Sequence, residues 1–312
     1  MGEKSMKDLV RLIVTLNISF RMVDSPEFKI YCAGLNSSIR IPCRQTVRKE
    51  ILKEYKLYAS KLGEIIRTIP SVALTTDTWT SRANRSYNVL TMHYIDPITF
   101  KLESLILDFA FFPTPHTGEY VAEYLWSICH FHGMLEKLQS ITTDNGPNVV
   151  LGMKLFKDKL LDKKKIRVVH IRCIAHTLNV VVSKGFEEFD PLLLKVRNLV
   201  IQVKNSPKQW ETFQRYCKEV DIQPMPLLLD VATRWNSTFV MLERAIMLAP
   251  AITEYTEREK LDFITEGEWE NLKDLKTLLE PIWKATFDLS GQKYVSISLI
   301  LPAITFIISG II

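Results

Sequence analysis

The sequence predicts an α/β protein: a mixed five-stranded sheet with flanking helices, preceded by a helical region and followed by a helical block. Three observations carry this. Residues 1 to about 68 keep apolar side chains at helical spacing. From Val72 the period switches to short β-branched or alternating runs, in the order strand, strand, strand, helix, strand, helix, strand. After His176 the helical period returns and holds to the end.

In the leading region, residues 7–20 place Leu9, Leu12, Ile13 and Leu16 on one helical face, and residues 46–69 do the same with Ile51, Tyr55, Tyr58, Leu62, Ile65 and Ile66. Ser25-Pro26 and Ile41-Pro42 break the pattern between them. Residues 72–77 form a short run ending in an acid, Asp77. Residues 87–95 (YNVLTMHYI) alternate and stop at the turn signal Asp96-Pro97, and 102–112 is a third strand. Residues 117–132 are helical, with Tyr120, Tyr124, Leu125 and Ile128 on one face. Residues 138–143 form a fourth strand, again followed by an acid, Asp144. A helix over 148–159 and a fifth strand over 167–171 complete the order. The resulting divisions are 1–69, 70–172 and 173–312.

Apolar residues make up 47% of the 312 and charged residues 24%, the balance of a soluble globular protein. Forty Lys and Arg against 35 Asp and Glu give +5, which is compatible with nucleic acid without demonstrating it. Cys32, Cys43, Cys129, Cys173 and Cys217 are scattered with no CxxC pair, so neither a disulfide scaffold nor a complete zinc finger is written here, and the expected compartment is reducing. The early acid of MGEKSMKDLV and Met6 at the sixth position argue against a signal peptide and against myristoylation. Residues 295–312 are almost entirely apolar but contain Ser296, Ser298, Pro302, Thr305 and Ser309. They read as a core helix whose partners lie beyond the chain end, with the chain truncated at Ile312, and not as a membrane anchor. Neither a membrane nor a small-molecule substrate is an expected partner.

Asp77 and Asp144, 67 positions apart, are each expected at a strand tip. Ligands of α/β sheets collect at such tips. Two carboxylates brought together repel unless a cation neutralises them, and hard oxygen donors select Mg²⁺ or Mn²⁺. A pair of such ions activates water in phosphodiester cleavage. Either Asp alone equally suits a helix N-cap; the pair, in this strand order, favours the metal.

Four segments extend the argument. Thr75-Thr76-Asp77-Thr78-Trp79-Thr80-Ser81 resembles the TxDxWTS segment of hAT-family DNA transposases. Residues 143–148 (TDNGPN) resemble their TDNxxN segment, 172–179 (RCIAHTLN) their RCxxHxLNL segment and 233–238 (TRWNST) their TRWNST segment. The order and spacing are family-like over about residues 70–300, and 269–290 resembles a further stretch of the family's helical insertion. The family includes BED zinc-finger proteins derived from transposases.

The resemblance implies a ribonuclease-H-like fold interrupted by an all-helical insertion, with Asp77 and Asp144 as the first two acids of a DDE triad holding Mg²⁺ or Mn²⁺. In active members these serve DNA cleavage and strand transfer. It implies DNA as partner, nuclear location, and Trp235 stacking on an extruded base, with Arg234 a phosphate contact. His176 is either a phosphate contact or an interior hydrogen-bonded histidine. Lys164, within Lys163-Lys164-Lys165, is either a DNA contact or part of a solvated loop. Cys173 and His176 have the spacing of two zinc ligands, but no second pair exists, so zinc is not expected and Cys173 reads as a small buried residue. The family's zinc finger, third acid and dimerisation segment have no match here: Glu280 and Asp288 lie in the insertion-like stretch. The expectation is a DNA-binding chain that does not cut DNA alone and oligomerises only as part of full-length relatives. A non-catalytic interaction or transcription-regulatory scaffold is the alternative. A cellular ribonuclease-H-type nuclease has no need of the helical block over 173–300.

Overall fold

The structure is a computed structural model that describes residues 2–81, 83–113, 115–231, 233–291 and 294–311. The chain divides into two compact units, Met1–Ser71 with Ser127–Lys137, and Val72–Trp126 with Leu138–Ile312.

The first unit contains α1 (Glu3–Thr15), α2 (Pro26–Leu35) and α3 (Arg44–Thr68). Pro26 opens α2 at a position whose N–H has no helical acceptor, and the Ser25 hydroxyl accepts the Phe28 N–H at 3.2 Å. Leu9, Ile13, Val23 and Val47 close a small core, with Phe28 and Ile51 packed against it. α3 stops before Pro70, which disfavours helical backbone at Ile69. The Lys137 ammonium donates to the carbonyls of Ile66, Arg67 and Ile69 at 2.6, 3.0 and 2.8 Å, satisfying acceptors that the helix end leaves open.

The second unit opens with β1 (Val72–Thr80), β2 (Ser86–Ile95) and β3 (Leu102–Phe111). There follow α4 (Gly118–Phe131, whose last residues belong to the first unit), β4 (Leu138–Thr143), α5 (Pro147–Lys164) and β5 (Val169–Arg172). The sheet order is β3-β2-β1-β4-β5; β1 is antiparallel to β2, β2 to β3, and β1–β4 and β4–β5 are parallel. The connections β3–α4–β4 and β4–α5–β5 step in one direction, and right-handed crossovers then place both helices over one face. Leu74, Leu90 and Met92 are fully buried on that face. The helices approach closely: a Cβ on Gly118 would meet the Leu151 side chain at 2.6 Å, and one on Gly152 would meet Val121 at 2.7 Å and the Gly118 carbonyl at 2.9 Å. The opposite face carries Trp79, Tyr87, Phe109 and Phe111, with Trp79 38%, Phe109 58% and Phe111 56% exposed.

Beyond the sheet come α6 (Ile174–Gly185), α7 (Asp190–Lys204), α8 (Pro207–Glu219), α9 (Trp235–Met247), α10 (Ala249–Arg258), α11 (Glu266–Leu289) and α12 (Ile300–Ile311). Their core is built around Trp235, Phe213 and Tyr255. α11 starts on a reciprocal cap: Thr265 accepts the Glu268 N–H while Glu268 accepts the Thr265 N–H. α12 leaves Leu301, Phe306 and Ile308 exposed. Among the described residues, no helix is long and apolar enough to cross a membrane.

Four local expectations are corrected. Asp77 is not the end of its strand: β1 runs on to Thr80 because its pairing with antiparallel β2 continues after that with β4 has stopped. Residues 222–231 are not helical; Pro224 and Pro226 break the pattern, and a buried ion pair at Asp230 holds the segment. Cys173 is half-buried, not buried, at the N-cap of α6. Lys163 and Lys164 form the last turn of α5, with Lys165 closing the helix in the left-handed conformation at φ 59°.

Candidate functional site

The parallel register of β1 and β4 sets the geometry. Leu74 pairs with Ile141 and Thr75 with Thr142, so Asp77 and Asp144 each stand two residues past the last pair and are level across the two strands. The two acids are held differently. Asp77 is exposed, pairs with Val89 of β2, and by alternation shares the open face with Thr75 and Trp79. Asp144 is half-buried beyond the tip of β4, where its Oδ1 accepts the Gly146 N–H at 3.0 Å. It also borders a small cleft with Thr76, Thr78, Asn88 and Tyr124. The Asx-type turn explains Gly146: a Cβ there would stand 3.3 Å from Asp144 Oδ1 and 3.0 Å from Asn148 Oδ1.

Two histidines flank these strands. His93 Nε2 lies 2.9 Å from the Thr75 hydroxyl, and His170 Nε2 lies 2.9 Å from that of Thr143. Burial pushes the His93 pKa down. Burial does the same to His170, helped by the positive charges of Lys157 and Arg172.

Hydrogen bonds tie the sequence motifs together across long stretches of chain. The Cys173 N–H donates to the Thr143 carbonyl at 2.8 Å, seating α6 directly beyond β4. The Asn145 amide donates to the Thr177 hydroxyl at 2.9 Å. Further along α6, Asn179 Oδ1 accepts the Trp235 N–H at 3.1 Å, and its amide donates to the Thr233 carbonyl at 3.3 Å. Ser237 accepts the Val231 N–H at 2.8 Å and donates to the Arg234 carbonyl at 2.6 Å. Arg197 grips Asp230 bidentately, through Nε and Nη2, and Thr238 donates to Asp230 at 2.8 Å. The Asp230 side chain is only 2% exposed. Burial alone would raise its carboxyl, but the Arg197 and Thr238 hydrogen bonds outweigh burial and hold it below the usual carboxylate range.

The sequence-predicted residues therefore fall into three groups. Asp77 and Asp144 are level, and the motif residues after Asp144 lead through Thr177 and Asn179 to the exposed Arg234, the N-cap of α9. His176 lies half-buried in the first turn of α6. Lys164 stands apart: it ends the 18-residue α5, about 27 Å along the helix from the Asp144 turn. Trp235 is 1% exposed, its indole enclosed by the helical core, so stacking on a base requires the start of α9 to move. Sequence reasoning missed the bridging residues Asn145, Thr177 and Asn179 and the Arg197–Asp230 pair. It also missed the ring cluster beside Asp77, where Trp79 and Tyr87 stack at 6.0 Å and Tyr87 and Phe109 at 5.7 Å. Strict alternation along β1 and β2 was the available signal for the rings.

As metal donors, Asp77 and Asp144 are hard oxygen ligands, and the neighbouring Asn145 keeps a buried Oδ1 with no hydrogen-bond partner among the described residues. This set fits Mg²⁺ or Mn²⁺ in kind, with water and phosphate oxygens left to complete the shell. No group of three or more His, Cys, Asp or Glu that would enclose a metal occurs among the described residues.

Comparison with known proteins matches residues 75–169 to the ZBED1 RNase-like domain and residues 171–278 to the ZBED1 RNase-like helical domain. The chain is 29% identical over 301 residues to the Putative AC transposase of Zea mays, covering 93% of this chain and 37% of that protein. It is 30% identical over 255 residues to the Putative AC9 transposase of Zea mays, covering 80% and 30%. It is 26% identical over 327 residues to the Putative transcriptional regulator tpeD of Talaromyces stipitatus, covering 94% and 38%. The chain spans about a third of the length of these relatives.

Proposed function

Since the chain belongs to the family of hAT transposases and the BED zinc-finger proteins derived from them, we propose that it is a DNA-binding core of transposase descent that does not cut DNA by itself. The observation that carries this is the convergence of the motifs: the level pair Asp77 and Asp144, linked through Asn145–Thr177 and Asn179–Trp235 to the exposed Arg234. In this reading Arg234 contacts a phosphate, and His176 does so from the first turn of α6. Asp77, from the open face of β1, and Asp144, from the α4 side of the strand tips, would be the chain's oxygen ligands for a Mg²⁺ or Mn²⁺ ion, which when bound would neutralise charge on a phosphodiester; holding one ion together requires one of the two carboxylates to turn toward the other's face. Two carboxylates leave the ion's position underdetermined, and in-line cleavage asks for a third ligand to fix it. The transposase relatives support a role in the nucleus.

The test is fluorescence anisotropy of a labelled duplex of about three helical turns against the full chain over a range of salt, with a cleavage assay in Mn²⁺. Binding whose logarithmic affinity falls linearly with the logarithm of salt, a slope about one unit shallower in Arg234→Gln, and no strand scission are the expected results. Robust scission abolished by Asp77→Ala overturns the inactive reading. Absence of binding at low salt overturns DNA binding.

A second reading has one observation in its favour. With Trp235 sealed in the helical core, the surface available to a base is reduced, as expected of a regulatory scaffold that reuses the fold. One relative carries the name of a transcriptional regulator.

A further inference from the structure

The positive charge of the chain is unevenly shared. The first unit carries fourteen Lys and Arg against eight Asp and Glu, whereas the rest of the chain carries twenty-six against twenty-seven. The whole net charge of +5 therefore originates in the helical first unit.

Within that unit the cations are aligned. Positions 49, 53, 56, 60, 63 and 67 of α3 recur at intervals of three and four, the spacing of one helical face, and they are Lys49, Lys53, Lys56, Ser60, Gly63 and Arg67. All but the half-buried Gly63 are exposed. At 1.5 Å per residue the stripe extends about 27 Å from Lys49 to Arg67. Of the helix's acids, Glu50 and Glu54 fall to the side of this face, Lys53 pairing with Glu50 at 3.1 Å, while the exposed Glu64, four residues after Ser60 and three before Arg67, stands at its margin. Lys49, Lys56 and Arg67 make no ion pair among the described residues.

At its C-terminal end the stripe runs into an open cleft of about 680 Å³, walled by Ser60, Gly63 and Arg67 on α3 and by His130, His132 and Lys137 opposite them. Among the described residues, no acidic side chain lines it. A helix C-terminus ordinarily repels anions through its unsatisfied carbonyls. Here Lys137 takes up three carbonyls at that end, which removes the repulsion where the cleft begins. The small side chains Ser60 and Gly63 leave room for a backbone to approach the helix.

We propose that this stripe and cleft form a second, sequence-independent DNA-binding surface, in which Lys49, Lys56 and Arg67 neutralise successive phosphates of a duplex backbone. The proposal rests on the DNA-binding reading above but concerns different residues in a different unit. Cations aligned over about 27 Å suit a regular polyanion. Exposed Leu52 lies between Lys49 and Lys56 and exposed Phe131 lines the cleft, so the vesicle arm of the experiment tests an acidic lipid surface against the duplex.

The experiment uses the full chain and the same labelled duplex. The variant Lys49→Gln/Lys56→Gln/Arg67→Gln is expected to bind with a salt slope shallower by about 2.7, at about 0.9 for each phosphate no longer neutralised, and about tenfold or more weakly at near-physiological salt. Lys49→Arg/Lys56→Arg/Arg67→Lys, which keeps the charges, is expected to retain the slope. Inorganic phosphate added at constant ionic strength is expected to leave the duplex bound; displacement at low millimolar phosphate would make this a free-phosphate site and overturn the proposal. Loss of binding to phosphatidylserine vesicles in the triple variant, with the DNA slope unchanged, would also overturn it in favour of a membrane. An unchanged DNA slope with no effect on vesicles sinks this proposal alone. Failure of the unmodified chain to bind DNA even at low salt sinks it together with the reading above.

Discussion

Asn179 holds Trp235 by its backbone: the side-chain carbonyl on α6 accepts the N–H that opens α9, across fifty-six positions of chain. The same side chain donates to Thr233, so one amide fixes both the loop carrying Arg234 and the start of the helix that follows. Asn179→Ala removes both bonds and is expected to lower the stability of this unit by about 1–2 kcal/mol. Chemical denaturation measures it; a change under about 0.5 kcal/mol would mean that water replaces the amide at no cost.

Arg197 and Asp230 form the pair that replaces secondary structure over residues 222–231. Arg197→Met keeps much of the stem but leaves a carboxylate that is 2% exposed without its main partner, and is expected to destabilise by about 3–5 kcal/mol. Arg197→Met/Asp230→Leu, which removes both charges, is expected to recover most of that stability. Because the Asp230 pKa is depressed in the folded state, its contribution is full above the unfolded value of 3.8 and is lost as pH falls through the folded one. Acid titration of unfolding below about pH 4 therefore has a component that Asp230→Asn abolishes.

Gly152 lets α5 lie against α4. Ala at this position places its methyl carbon 2.9 Å from the Gly118 carbonyl oxygen, an atom that no rotamer change can move away. The expected cost is about 1–3 kcal/mol, even though Ala is the better helix former by about 1 kcal/mol. A melting temperature at or above that of the unmodified chain would contradict the close approach.

The Thr75–His93 and Thr143–His170 pairs give the sheet a pH dependence of defined sign. Both imidazoles have folded pKa values below the ordinary 6.5, so the unfolded chain binds these protons more readily. Their contribution to stability is complete above about pH 6.5 and declines as pH falls through the folded values. Stability measured by urea denaturation is expected to drop from about pH 7 to about pH 5, and His93→Gln/His170→Gln is expected to flatten that drop. A stability that rises over this interval would refute the assignment.

The strands were readable because one face of the sheet is buried: Leu74, Leu90 and Met92 sit at alternating strand positions and are sealed by α4 and α5. The equal offset of the two acids has a structural counterpart, because parallel register preserves sequence offset: the 67 positions between Asp77 and Asp144 also separate Leu74 from Ile141. Which face each carboxylate takes was not readable, since Asp144 lies beyond the end of β4. The end of β1 was not readable, because antiparallel and parallel neighbours release the strand at different residues. Nor was the segment at 222–231, whose order depends on Arg197, thirty-three positions before Asp230. Trp235 shows the limit most clearly. The motif around it announces an aromatic at the start of a helix, but which way the ring turns is decided by Phe239, Leu242 and the rest of the helical core.

The uncovered face of the sheet gives the protein an optical asymmetry. Trp79 stands among Tyr87 and Phe109 at a surface open to water, while Trp235 is enclosed by the helical core. Iodide in solution is expected to reach the first indole and not the second; because Trp126, Trp210, Trp269 and Trp283 also emit, the difference between the unmodified chain and Trp79→Phe isolates the quenchable, red-shifted part that belongs to this face. A ligand that settled on that face would dim or shield the first and leave the second untouched, which would report occupancy beside Asp77 without a dye.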